Sequence, residues 1–190
     1  MPRLSVFNSV SLDGYFASAN GDIGWAHQAT TPDPEWDKFV SGNASGGGAL
    51  VFGRKTYDMM VQFWPTAQAK QQMPEVAEGM NRMPKYVFSR TLDRPTWTNT
   101  TVLKGDLVEA MRRAKKNGGP DMVILGSGSI IPPLVDAGLV DSLTLVVVPV
   151  VLGTGRTMFE GARKQPRFVA DGQPRPFKNG NVVLSYHPRG

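Results

Sequence analysis

Three short apolar runs constrain this chain most: Ala49-Leu50-Val51-Phe52, Lys85-Tyr86-Val87-Phe88 and Met122-Val123-Ile124-Leu125 each stop abruptly at glycine or serine. Apolar runs of that length, bounded by breakers, read as buried strands. Helical patterns follow two of them, Tyr57 to Trp64 after the first and a segment through Leu134 and Val135 after the third. Strands alternating with helices are joined by crossovers. The expected fold is therefore α/β, a three-layer αβα arrangement around a mixed, mostly parallel sheet. Phe168 to Ala170 and Val182 to Tyr186, linked through a Pro- and Gly-rich stretch, predict antiparallel strands at the C-terminal end.

The remaining elements fit that plan. Arg3 to Val10 alternates as a first strand and leaves through the turn Ser11 to Tyr15, and Phe16 to Pro34 is a long loop holding Trp25 and His27. A helix is predicted from Asp33-Pro34-Glu35, with Asp33 as N-cap, proline in the first position, and Trp36, Phe39 and Val40 on one buried face. Gly42 to Gly48 is expected to end it. Pro74 to Met83 is a helix between prolines, and Thr100 to Leu103 a weaker strand. Asp106 to Lys116 is a helix opened by a capping box of Asp106 and Glu109. Ser142 to Leu152, almost wholly apolar, is either a central strand or an interface strand. No repeat or composition break divides the chain, so a single domain over residues 1–190 is expected.

Composition narrows the chemistry. The net charge of +5 is scattered along the 190 residues, without the basic tract and interleaved aromatics of a nucleic-acid binder. There are no cysteines, which removes disulfides and thiolates and favours the cytoplasm. No run approaches a membrane span, and with Pro2 and Arg3 leading straight into a strand no signal segment is expected. His27 and His187 are the only histidines, so neither a histidine triad nor a multi-histidine metal site is expected.

Gly126-Ser127-Gly128-Ser129 carries nothing larger than a hydroxymethyl, so a ligand can lie against its backbone N–H groups at the start of a helix. That suits a phosphate, and it equally suits an ordinary tight connection. Two named motifs are absent. A dinucleotide fingerprint needs a small residue where Ile131 stands, and the P-loop spacing from Gly48 to Gly53-Arg54-Lys55-Thr56 is filled by the strand Ala49 to Phe52. In parallel sheets, however, ligands gather beyond the carboxyl ends of the strands. Gly53 to Thr56, Ser89-Arg90-Thr91 and Gly126 to Ser129 all follow strands, and two of the three bear cations. Together they point to a cofactor with several phosphates.

These residues, with Ser11-Leu12-Asp13-Gly14 and Pro149-Val150-Val151-Leu152-Gly153-Thr154-Gly155, resemble the dihydrofolate reductase superfamily. The resemblance is closer to its branch similar to the reductase domain of bifunctional riboflavin-biosynthesis proteins, and it implies NADPH as cofactor. Gly53, Arg54, Lys55 and Thr56 would then meet the pyrophosphate and 2′-phosphate, Ser89 and Arg90 the adenosine end, and Gly126, Ser127, Gly128 and Ser129 the pyrophosphate. The resemblance further implies Glu35, four residues before Phe39, and Asp13 as catalytic residues, with Trp25 and Phe39 contacting substrate. The first-turn position of Glu35 is equally explained by the helix dipole. The implied activity is hydride transfer to a small pterin-, pyrimidine- or related heterocycle. The alternative is a nucleotide-binding protein of the same fold without reductase activity. A homodimer is also implied, with Leu143 to Val151 as an interface strand.

Overall fold

The computed structural model describes residues 1–28, 31–45 and 47–189, the side chain of Ser45 excepted. β1 (Leu4–Ser11) alternates buried and half-buried residues, as its sequence predicts. Its parallel neighbours are β6 (Met122–Leu125) on one side and β7 (Ser142–Val148) on the other. β3 (Ala49–Gly53), buried throughout, lies beside β6 and β4 (Lys85–Phe88), and β4 beside β5 (Thr100–Leu103), all parallel. β11 (Val182–Pro188) runs antiparallel to β7 and carries β9 (Phe168–Ala170) and β10 (Arg175–Pro176) on its far side. The mixed sheet, mostly parallel with antiparallel C-terminal strands, is the one expected.

Helices cover both faces, completing the three layers. α1 (Pro34–Ser45), α2 (Arg54–Phe63) and α4 (Pro74–Arg82) place Ala44, Tyr57, Val76 and Met80 against Leu50, Phe52 and Val87. α5 (Leu107–Lys116) and α6 (Ile131–Asp136) place Met111, Ile131 and Leu134 against Leu4, Val6, Val51 and Ile124 on the opposite face. Residues on alternate strand positions thus feed two cores. Each fully buried Leu, Ile or Met contributes about 1.5–3 kcal/mol by leaving water. A third cluster of Trp25, Phe7, Trp36, Phe39, Val146 and Phe177 closes the sheet near the end of β7.

Several boundaries differ from expectation. α1 passes through Gly42 to Ser45, because Ala44 packs onto α4: a Cβ at Gly79 would lie 2.3 Å from the Ala44 carbonyl oxygen. Gly46, within the stretch expected to end that helix, lies outside the described residues, as do Ala29 and Thr30 of the long loop. β7 stops at Val148, before Pro149, and is hydrogen-bonded along both edges by β1 and β11. It is thus a central strand of the sheet. The long loop contains a 3-10 turn (Gly24–His27), and β2 (Tyr15–Ser18) pairs with β8 (Gly155–Thr157) as a separate ribbon. α3 (Ala67–Gln72), also unforeseen, is capped by Thr66, whose hydroxyl accepts from Ala69 N at 3.2 Å.

Candidate functional site

The parallel strands all end at one edge of the sheet, so the loops after β1, β3, β4, β6 and β7 share that edge. There the turn after β6 is bent by two consecutive left-handed residues, Gly126 (φ 61°) and Ser127 (φ 65°). Gly126 needs its glycine, because a Cβ there would approach Thr56 Cγ2 to 3.0 Å. Ser127 is buried, and its Oγ accepts from Gly53 N at 2.8 Å, tying this turn to the start of α2. Two of the sequence motifs therefore form one surface. A Cβ at Gly53 would lie 3.3 Å from Ser129 Oγ and 3.6 Å from Ser127 Cβ, so glycine keeps the seam between them open to backbone approach. The N-cap of the ten-residue helix α2 is Gly53, which has no side chain to offer the first turn, so the N–H groups of that turn and the positive dipole end lie at this seam.

Basic residues follow two of the strand ends, Arg54 and Lys55 after β3 and Arg90 after β4. Arg54 directs Nε at both oxygens of Asp58, at 2.8 and 2.7 Å, and is half-buried, whereas Lys55 and Arg90 are exposed. Ser89 turns inward, its Oγ accepting from Thr91 N at 3.2 Å and Leu92 N at 3.0 Å, so it shapes its own loop.

The first loop crosses above. Asp13 accepts from Ser11 Oγ at 2.6 Å, from Gly153 N at 2.7 Å and from Leu152 N at 3.2 Å. These donors, the serine hydroxyl foremost, hold its carboxyl below the usual carboxylate range. An ionised acceptor of that kind clamps the loop after β7 to the turn after β1. Phe16, on the ribbon so clamped, lies over Gly128: a Cβ there would fall 2.7 Å from Phe16 Cζ.

Trp25 and Phe39 belong to one apolar cluster with Val146 and Val148 at the end of β7. Glu35 stands at the start of α1, exposed, its Oε1 accepting from Arg175 Nη2 at 2.7 Å. Arg175 also stacks over Phe177 and Phe39, at 4.7 and 5.5 Å. Glu35 and Asp13 thus engage different partners. Asp33 caps α1, accepting from Glu35 N at 3.0 Å and Trp36 N at 3.3 Å, while its other oxygen accepts from Asn179 N at 3.3 Å. Among the described residues no cluster of His, Cys, Asp and Glu suits a metal ion, and no helix is long and apolar enough to cross a membrane.

Sequence reading missed Asn8 and Phe16. The signal for Asn8 lay in the alternation: it occupies the inward phase set by Leu4, Val6 and Val10, and a polar residue there has to find buried partners. Phe16 gave no signal, because its partner, Gly128, is more than a hundred positions away.

Comparison with known proteins decides the family. The model of the RibD C-terminal domain matches residues 2–175. The chain belongs to the RibD C-terminal domain family. The uncharacterized protein YyaP of Bacillus subtilis is 30% identical over 188 residues, covering 99% of this chain and 96% of that protein. Among solved structures, a putative riboflavin biosynthesis protein from Shewanella sp. PV-4 superposes with a TM-score of 0.74 at 22% identity, covering 99% of both chains. A bifunctional deaminase/reductase from Thermotoga maritima gives 0.68 at 15%, covering 99% of this chain and 57% of that one. The dihydrofolate reductase of Enterococcus faecalis, complexed with NADP(H), gives 0.57 at 15%, covering 99% and 97%. These likenesses agree with the fold. Membership of the family implies an NADPH-dependent oxidoreductase acting on a small heterocycle of the pterin or pyrimidine type.

Proposed function

We propose that this chain passes a hydride from NADPH to a small pterin- or pyrimidine-type heterocycle at the carboxyl edge of its sheet. The observation that carries the reading is the junction of Gly53 to Thr56 with Gly126 to Ser129 through Ser127 Oγ, beside a helix start whose N-cap is glycine. Backbone N–H groups, two small-residue turns and a helix dipole fit a pyrophosphate. In this reading Gly53, Thr56 and Gly126 to Ser129 bind the pyrophosphate, Arg54 and Lys55 the 2′-phosphate, and Ser89 and Arg90 border the adenosine. A guanidinium on the 2′-phosphate contributes about 1.5–3 kcal/mol, enough to prefer NADPH over NADH by one to two powers of ten.

NADPH, when bound, supplies the hydride. The chain's own work is to orient and to move a proton. Trp25 and Phe39 wall the acceptor heterocycle, Glu35 leaves Arg175, takes a proton from solvent and passes it to the acceptor as the hydride arrives, and Asp13, held ionised, positions the loop above. The ligand is a small molecule, not nucleic acid or a membrane, and the protein is a cytoplasmic homodimer. Support for the dimer comes from Leu12 and Val151, apolar and well exposed on loops joined by the 2.8 Å bond from Leu12 N to the Val150 carbonyl. The Glu35–Arg175 pair favours a second reading, a nucleotide-binding protein of this fold without reductase activity. The two separate in one assay, NADPH oxidation followed by absorbance against a panel of pterins and aminopyrimidines. A reductase oxidises NADPH with at least one of them and loses that rate in Glu35→Gln. Binding without oxidation across the panel supports the second reading.

A further inference from the structure

The ladder between β1 and β6 ends at the pair Phe7 and Leu125. One step further on, where the chain bends away at Gly126, the Asn8 side chain takes over from the backbone. Its Oδ1 accepts from Gly126 N at 2.6 Å, and its Nδ2 donates to the Gly126 carbonyl at 3.3 Å and lies 3.1 Å from Met158 Sδ. Asn8 is buried, and one carboxamide thereby holds both polar groups of a single peptide residue. Gly126 is the first of the two left-handed residues, and the second, Ser127, carries the hydroxyl that accepts from Gly53 N. The shape of the turn is thus set from β1.

We propose that Asn8 is a positioning residue for the pyrophosphate site: by holding Gly126 it fixes the Gly126 to Ser129 turn against α2 and sets the affinity for the cofactor. The inference rests on the reading of this edge as an NADPH site. Among the described residues, Asn8 is the side chain hydrogen-bonded to both the N–H and the carbonyl of Gly126. A carboxylate in place of the carboxamide keeps the acceptor for the N–H but turns a negative oxygen toward the carbonyl. Protonating that carboxylate restores the donor, and burial raises its pKa above the ordinary carboxylate value, so the repair falls in mild acid.

The test is calorimetric titration of the full chain with NADP⁺ and with 2′-AMP, which carries the adenosine end and no pyrophosphate. For Asn8→Asp, NADP⁺ binding at about pH 8 is expected to weaken about tenfold relative to wild type, a loss of one charge-compatible hydrogen bond. The ratio to wild type should recover toward one by about pH 5. Binding of 2′-AMP should stay within about twofold throughout, whereas a merely structural defect would weaken both ligands together. Asn8→Ala, which removes the bonds without adding charge, keeps the test should the aspartate variant not fold; it is expected to weaken NADP⁺ alone, with no recovery in acid. The proposal is overturned if Asn8→Ala binds NADP⁺ as wild type does, if the aspartate variant's loss persists in acid, or if 2′-AMP weakens equally. A wild-type chain that binds 2′-AMP and NADP⁺ not at all would overturn the cofactor reading, and this inference with it.

Discussion

Ser127 joins the two halves of the candidate site, and its substitution separates two energies that the structure places on one residue. In Ser127→Ala the buried Gly53 N–H loses its 2.8 Å acceptor. An unpartnered buried donor costs about 1–3 kcal/mol. Ser127→Gly loses the same bond but relieves the left-handed backbone at φ 65°. That relief is worth roughly 1–2 kcal/mol for an L-residue, less about 0.4–1 for the greater freedom of glycine in the unfolded chain. We expect losses of about 2 kcal/mol for alanine and about 1 for glycine. For a chain of this size these correspond to falls in Tm of roughly 4–8 °C and 2–4 °C. Thermal unfolding of the three proteins reads this order directly, and both variants should bind NADPH more weakly, because Gly53 N is no longer held against the turn. An alanine variant that unfolds with wild type, or a glycine variant less stable than alanine, would refute the reasoning.

Other predictions test the surroundings. Gly128→Ala drives a methyl to 2.7 Å from Phe16 Cζ and should destabilise by about 1–3 kcal/mol, whereas in a Phe16→Ala background it should cost little; additive losses in denaturant unfolding would contradict the contact. Asp13 has a native pKa below its unfolded value, so its contribution is complete above the ordinary carboxylate range and is lost as pH falls through the native value. The Tm difference between wild type and Asp13→Asn should therefore shrink in strong acid, and a difference that widens there would show the sign to be wrong. Lys85 is buried beneath Trp97, donates to three backbone carbonyls, and is pushed by burial down to about 8. Between that value and the ordinary 10.5 the unfolded chain holds a proton that the native chain has released, so wild-type stability should rise with pH across the window. Lys85→Met should flatten that rise in urea midpoints, and an unchanged slope would assign it to other groups.

The sheet was legible because its strands are short apolar runs with glycine or serine at their ends, and because local patterns decide such elements. Asp33 and Asp106 were legible as caps for the same reason: each accepts from N–H groups two or three residues on. What stayed hidden depends on distant partners. The β2–β8 ribbon pairs Tyr15 with Thr157, so neither strand has an apolar pattern of its own. Gly42 reads as a breaker by itself, and only the packing of Ala44 on Gly79 carries the helix past it. At the site, the glycine turns were visible as residues, but their junction through Ser127 Oγ spans 74 positions. The carboxylates were harder still. Asp13 reads from sequence as a candidate for chemistry, and two of its three donors, Leu152 N and Gly153 N, come from the far end of the chain.

NADPH is proposed to lie along the edge formed by Gly53 to Thr56 and Gly126 to Ser129. Titrating the full chain with NADPH while following nicotinamide fluorescence tests it most directly. Saturable binding at submillimolar concentration, weakened in Ser127→Ala, is the predicted result. Absence of binding in that range, or binding indifferent to Ser127, would contradict the account.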